Sequence, residues 1–189
     1  LDTPSIKPVT VTPVPEIPEI PVNGTTLHYV ESGPPDAPAL VLGHSLFFDH
    51  TMFDPLAGLL QDSLRVIRYC HRGQGRSGRE EPYDMDTLTD DAAALVTALG
   101  AAPCHFVGLS MGGFIGMRLA VHRPELVRSL VLMETSADPE PNVAKYRALG
   151  AVVRVFGRLG MRMVMSRVMR IMFGRKFLED PARAADRRL

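Results

Sequence analysis

The chain has 189 residues, 46% of them apolar, which is enough for one globular domain with a sizeable core and too apolar for wholesale disorder. Lysine plus arginine and aspartate plus glutamate balance at 21 each, which excludes a global charge suited to nucleic acid or to an acidic substrate. The balance is uneven along the chain, because residues 140–189 hold 12 basic and 4 acidic side chains and the preceding part carries the compensating negative charge. No apolar run reaches the ~18 residues of a membrane-crossing helix, and the first residues lack the basic-then-apolar layout of a secretion signal. The compartment stays open, with the cytoplasm favoured.

In chain order, residues 1–21 carry proline every two to five positions, which forbids helix and suits an extended arm or an edge strand; a proline-rich ligand for another module is the alternative. VNGTTLHYVE reads as a strand pair around an Asn-Gly turn. ALVLGHS is a short, doubly buried strand, DHTMFDPLAGLL has helical spacing, and RVIRYC is the next strand. A helix over TLTDDAAALVTALG closes at Gly100, and then come strand CHFVGL, helix MGGFIGMRLAVH and strand VRSLVLM. Strands alternating with helices predict a mostly parallel sheet with helices on both faces. Cys70 and Cys104 are too few for a disulfide framework and lack metal-ligand spacing, so two buried thiols are expected.

Gly73-Gln74-Gly75-Arg76-Ser77-Gly78 fits the dinucleotide pattern G-x-G-x-x-G, but the segment that follows, REEPYDMD, cannot start the helix that would face a pyrophosphate. No acid stands at a second strand's end about twenty residues on. A nucleotide is therefore not expected. Gly108-Leu109-Ser110-Met111-Gly112 matches G-x-S-x-G between an apolar strand and a helix, the context of a nucleophile elbow. There Ser110 projects its hydroxyl above the C-terminal edge of the sheet, the flanking glycines allow strand and helix to approach, and the Met111 N–H can hold an oxyanion.

With these motifs in place, residues 22–139 resemble the α/β-hydrolase family, nearest to small carboxylesterases, enol-lactonases and cofactor-free perhydrolases. VLGHSLFFDHTMFDPL resembles the family's oxyanion loop, with His44-Ser45 where His-Gly is usual, and the resemblance makes the Leu46 N–H the second oxyanion donor. RVIRYCHRGQGRSG resembles the fourth-strand loop, with Cys70 in place of its usual aspartate and Arg72 and Ser77 as anchors. The implied fold is an α/β-hydrolase core over 22–139 with an N-terminal antiparallel hairpin, incomplete at its C-terminus, followed by a partial helical cap over 140–189. The implied activity is serine hydrolysis of a small apolar carboxylic ester or lactone through an acyl-enzyme at Ser110, with no metal and no organic cofactor. His44, Ser45 and Glu134 are candidates to line the pocket. A perhydrolase, a carbon–carbon bond hydrolase or a noncatalytic binding fragment are the alternatives.

An activated serine needs a histidine and an acid. The only histidine downstream of Ser110 is His122, on the same predicted helix and too far along it; the upstream histidines match no triad position, though His44 comes closest. Glu134 and Asp138 follow the sixth strand, a minority place for the acid. The acid and the base are thus expected outside these residues, and a complementing C-terminal fragment or a swapped second copy is the expected partner for an uncovered sixth strand. In the basic tail, Arg154, Arg158 and Arg162 are expected four apart on one helical face, with a methionine-rich side roofing the acyl pocket. A plain core helix pair and a membrane-surface helix are the alternatives for this tail, and membrane contact is disfavoured.

Overall fold

The computed structural model describes residues 18–138 and 143–183. Most of the expected proline-rich arm, residues 1–17, lies outside the described residues. Two compact units divide the chain, Leu1–Ala137 and Asp138–Leu189.

In the first unit one mixed sheet holds β1 (Glu19–Val22), β2 (Thr25–Ser32), β3 (Ala39–Gly43), β4 (Arg65–Tyr69), β5 (Cys104–Leu109) and β6 (Val127–Met133), in the spatial order β1-β2-β4-β3-β5-β6. The β1–β2 pair is an antiparallel hairpin whose turn residues, Asn23 and Gly24, both have positive φ, as a two-residue turn with the sheet's own twist requires. Strand β2 runs antiparallel to β4, and β3, β4, β5 and β6 are mutually parallel. Parallel neighbours need crossovers, supplied here by α1 (Asp54–Leu60), α2 (Met85–Ala98) and α3 (Met111–His122). A reciprocal capping box between Asp84 and Thr87 starts α2, which stops just before Gly100 at φ 60°.

The period-two alternation of the strands sorts the core into two layers. Leu27, Val41, Ile67, Tyr69 and Phe106 face Leu88 and Leu95 of α2 and Ile115 and Leu119 of α3. Leu40, Leu42, Val66 and Val107 face Phe53 and Ala57 on the opposite side. All five residues of β3 are buried, as its unbroken apolar sequence predicts for a strand covered on both faces. At the loop end, Arg72 makes a two-pronged ion pair with Asp91 of α2, at 2.7 and 2.8 Å, and donates to the Asn23 carbonyl.

The second unit contains α4 (Val143–Met172) and α5 (Arg175–Glu179). Helix α4 is interrupted at Gly157, whose φ of 52° and ψ of −127° are not helical. This corrects the expected single arginine face: Arg154 lies before the break and Arg158 and Arg162 after it, so the 3.6-residue period does not run through all three. Val155, Phe156, Leu159 and Met163 are exposed. Among the described residues no helix is long and apolar enough to cross a membrane.

Candidate active site

Ser110 sits between the last residue of β5 and the first of α3 at φ 51° and ψ −108°. That region is adopted almost only by glycine and costs an L-residue on the order of 1–3 kcal/mol, so the surroundings must hold it there. Three features do so. The Ser110 N–H donates to the Met133 carbonyl at the end of β6 (2.9 Å), the Ser110 carbonyl accepts from the Phe114 N–H (3.0 Å), and the Gly112 N–H donates to the His44 carbonyl (3.1 Å). The two glycines of the motif are needed because a Cβ on Gly108 would strike the Gly112 carbonyl and one on Gly112 would strike the Gly43 carbonyl, backbone against backbone. Met111 is the first residue of α3, so its N–H has no acceptor within the helix and lies at the positive end of the helix dipole.

The loop after β3 is fixed by a pair of histidines. His44 donates from Nδ1 to the Ser45 carbonyl at 2.8 Å and accepts at Nε2 from the His71 N–H at 3.2 Å. His71 returns a bond from Nε2 to the His44 carbonyl at 2.9 Å, and the rings lie 4.1 Å apart. The His44 carbonyl therefore serves two donors, the His71 ring and the Gly112 amide, joining the loops after β3, β4 and β5 at one atom. Burial holds His44 down to about 4 and His71 well below the usual imidazole range, so both are neutral. With both nitrogens engaged and no surface exposed, His44 has no nitrogen free to take a proton, and neither it nor the equally buried Ser45 presents a side chain to solvent. Leu46 follows at the head of the turn that the Ser45 carbonyl closes with the Phe48 N–H (3.2 Å), and it is exposed.

The remaining expected residues are dispersed. His122 is the last residue of α3, roughly 18 Å from Ser110 at ~1.5 Å per residue. His105 lies near the start of β5, paired with Ser129 at 2.7 Å, roughly 16 Å from Ser110 along the strand. His28 and His50 lie beside Cys70 instead. Among the described residues no histidine is hydrogen-bonded to Ser110. Glu134 directly follows β6 at φ 47°, one residue beyond the carbonyl that holds the Ser110 amide, with its side chain exposed. A depression lined by Pro35, Arg65, His105 and Arg128 opens at the N-terminal edge of the sheet, the end opposite Ser110.

The model of the alpha/beta hydrolase fold matches residues 38–159, a span that takes in the elbow, both loops beside it and the start of the helical unit. The chain belongs to the α/β-hydrolase fold family. It is 33% identical over 114 residues to 3-oxoadipate enol-lactonase 1 of Acinetobacter baylyi, covering 60% of this chain and 43% of that protein. It is 32% identical over 120 residues to RutD of Agrobacterium fabrum, a provisionally assigned carbamate hydrolase, covering 61% and 46%. The crystal structure of the enol-lactonase from Burkholderia xenovorans superposes with a TM-score of 0.77 at 35% identity, covering 86% of this chain and 62% of that one. The chain thus spans just under half the length of these curated relatives.

Within this α/β-hydrolase chain, the glycine-rich stretch that imitates a dinucleotide loop is a turn after β4. Ser77 donates to the Cys70 carbonyl at 2.7 Å and the Gly73 N–H donates to the Gly78 carbonyl at 2.7 Å, closing the loop on itself, while Arg72 ties it to α2. The sequence signalled the elbow through glycine spacing. It gave no local sign of the His44–His71 clamp, because the two partners end different strands and meet only when β3 and β4 pair.

Proposed function

We propose that this chain carries the nucleophile and the oxyanion amides of a serine hydrolase acting on small apolar carboxylic esters or lactones. The observation that carries the reading is the strained Ser110 backbone held between β5 and α3. Nothing in packing alone calls for a serine there, since glycine would take the same conformation without strain.

In the reaction, Ser110 Oγ attacks the carbonyl carbon and the carbonyl electron pair moves onto oxygen. The N–H groups of Met111 and Leu46 hold that oxyanion, the first with the dipole of α3 behind it. The hydroxyl proton goes to a base and then to the departing alkoxide, and water releases the acid from the ester at Ser110. A lactone follows the same course, with its alkoxide still attached to the acyl chain. The placement of the six histidines supports assigning the base and its acid to residues outside this chain. The enol-lactonase relatives favour a lactone or a simple ester over a perhydrolase or carbon–carbon bond substrate.

The test is hydrolysis of p-nitrophenyl acetate with free imidazole supplied as the base. The account expects an imidazole-dependent rate, saturable in ester, that Ser110→Ala lowers to the rate of imidazole alone. Equal rates for the two proteins would support a noncatalytic binding role and overturn the proposal. Strong Ser110-dependent turnover without imidazole would overturn the assignment of the base to another chain segment.

A further inference from the structure

Where β4 passes into its loop, three soft or borderline donors converge. Cys70 Sγ lies 3.3 Å from His50 Nδ1 and 3.8 Å from His28 Nδ1, and one donor atom from each residue falls within 4.8 Å of the other two. All three side chains are buried, His50 being the most accessible. They come from β2, the short 3-10 turn at His50–Phe53 and the end of β4, so no sequence spacing announces them.

We propose that His28, His50 and Cys70 form a binding site for a zinc-class divalent ion, separate from Ser110. A tetrahedral ion with imidazole nitrogen at about 2.0–2.1 Å and thiolate sulfur at about 2.3 Å sets its nitrogen and sulfur donors about 3.6 Å apart. The two observed distances bracket that spacing.

The backbone holds two of the donors rigidly. The His28 N–H donates to Ser77 Oγ (3.0 Å), Ser77 donates to the Cys70 carbonyl (2.7 Å), and the Cys70 N–H donates back to the His28 carbonyl (2.8 Å). This closed ring fixes the two Cα–Cβ directions without using either side chain. Gly75, at φ 55°, makes room for the sulfur, since a Cβ there would lie 2.5 Å from Sγ. The third donor, His50, is the first residue of the 3-10 turn that follows the β3 loop, so a bound ion would tie that turn to β2 and β4. A thiolate flanked by two imidazoles is a donor set suited to zinc. Binding releases the Cys70 thiol proton to solvent and leaves two neutral imidazoles, one thiolate and an open fourth position.

Cobalt(II) added to the 189-residue protein tests this without reference to hydrolysis. The proposal expects one thiolate-to-cobalt charge-transfer band per chain that saturates at one equivalent and is erased by Zn2+, together with a rise in thermal midpoint when Zn2+ is present. Cys70→Ser removes the band, and Cys104→Ser leaves it. His50→Gln, at the most accessible donor and so the change the fold tolerates best, weakens binding by more than about 100-fold, beyond what loss of a supporting contact brings. Folded wild-type protein that shows no such band in saturating cobalt overturns the site, as does a folded His50→Gln protein that binds with unchanged affinity.

Discussion

Strands β3 and β6 both end in apolar runs, both are parallel and both lead to the candidate site, yet they differ in how they are held. Every residue of β3 is buried between β4 and β5, and its last residue leads into His44, locked by four hydrogen bonds, two through its ring and two at its carbonyl. Strand β6 pairs only with β5 among the described residues, leaves Val131 50% and Leu132 43% exposed, and ends at an exposed Glu134. The β3 side of the site is therefore over-determined, while β6 is held along one edge, by its parallel pairing with β5 and by the Ser110 amide on the Met133 carbonyl. Rigidity at the nucleophile comes from the joined loops after β3, β4 and β5.

If that contrast is right, its largest expression is at adjacent glycines. Gly112→Ala drives a methyl into the Gly43 backbone and is expected to abolish folding or cost more than about 4 kcal/mol. Gly113→Ala first meets the Thr135 side chain, beyond the end of β6, rather than backbone, and is expected to cost about 1–3 kcal/mol by urea denaturation. Similar losses for the two would break the comparison. Next in size, Arg72→Met leaves the buried Asp91 carboxylate without its charged partner, keeping only the Asn23 amide, and is expected to cost about 3–5 kcal/mol.

The clamp makes a pH signature. His44 titrates near 4 in the folded chain against 6.5 ordinarily, because burial disfavours its charged form. As pH falls, the unfolded chain takes this proton first, so the stability is whole above pH 6.5 and is lost between there and pH 4. The loss by pH 5 is about 2 kcal/mol, measurable as a falling denaturation midpoint. A midpoint that rose or held between pH 7 and pH 5 would contradict the buried neutral clamp. The smallest effect is a gain: Ser110→Gly relieves the strained backbone and is expected to stabilise the fold by about 1 kcal/mol while removing the nucleophile.

The sequence revealed the elements more readily than the connections between them. Strand β5, helix α3 and strand β6 begin and end where hydrophobic period and glycine placement put them, because each is a local pattern. The elbow was legible for the same reason. The break at Gly157 was not, since a glycine within a helical period is compatible with continuation and only its positive φ reveals the interruption. Nor was the use of the histidines. His44 and His71 end neighbouring strands, while His28, His50 and Cys70 come from three elements, and all of these contacts depend on sheet order. The apolar run Leu130–Met133 of β6 likewise did not reveal its exposure, because burial is a property of neighbours and β3 carries a similar run.

The central claim is that Ser110 is held ready to be acylated. Mass-spectrometric mapping after brief exposure to p-nitrophenyl acetate in the presence of imidazole tests it directly. The account predicts one acetyl group on the peptide containing Ser110, absent from Ser110→Ala. Folded protein that is acetylated only on other residues, with Ser110 unmodified, would contradict it.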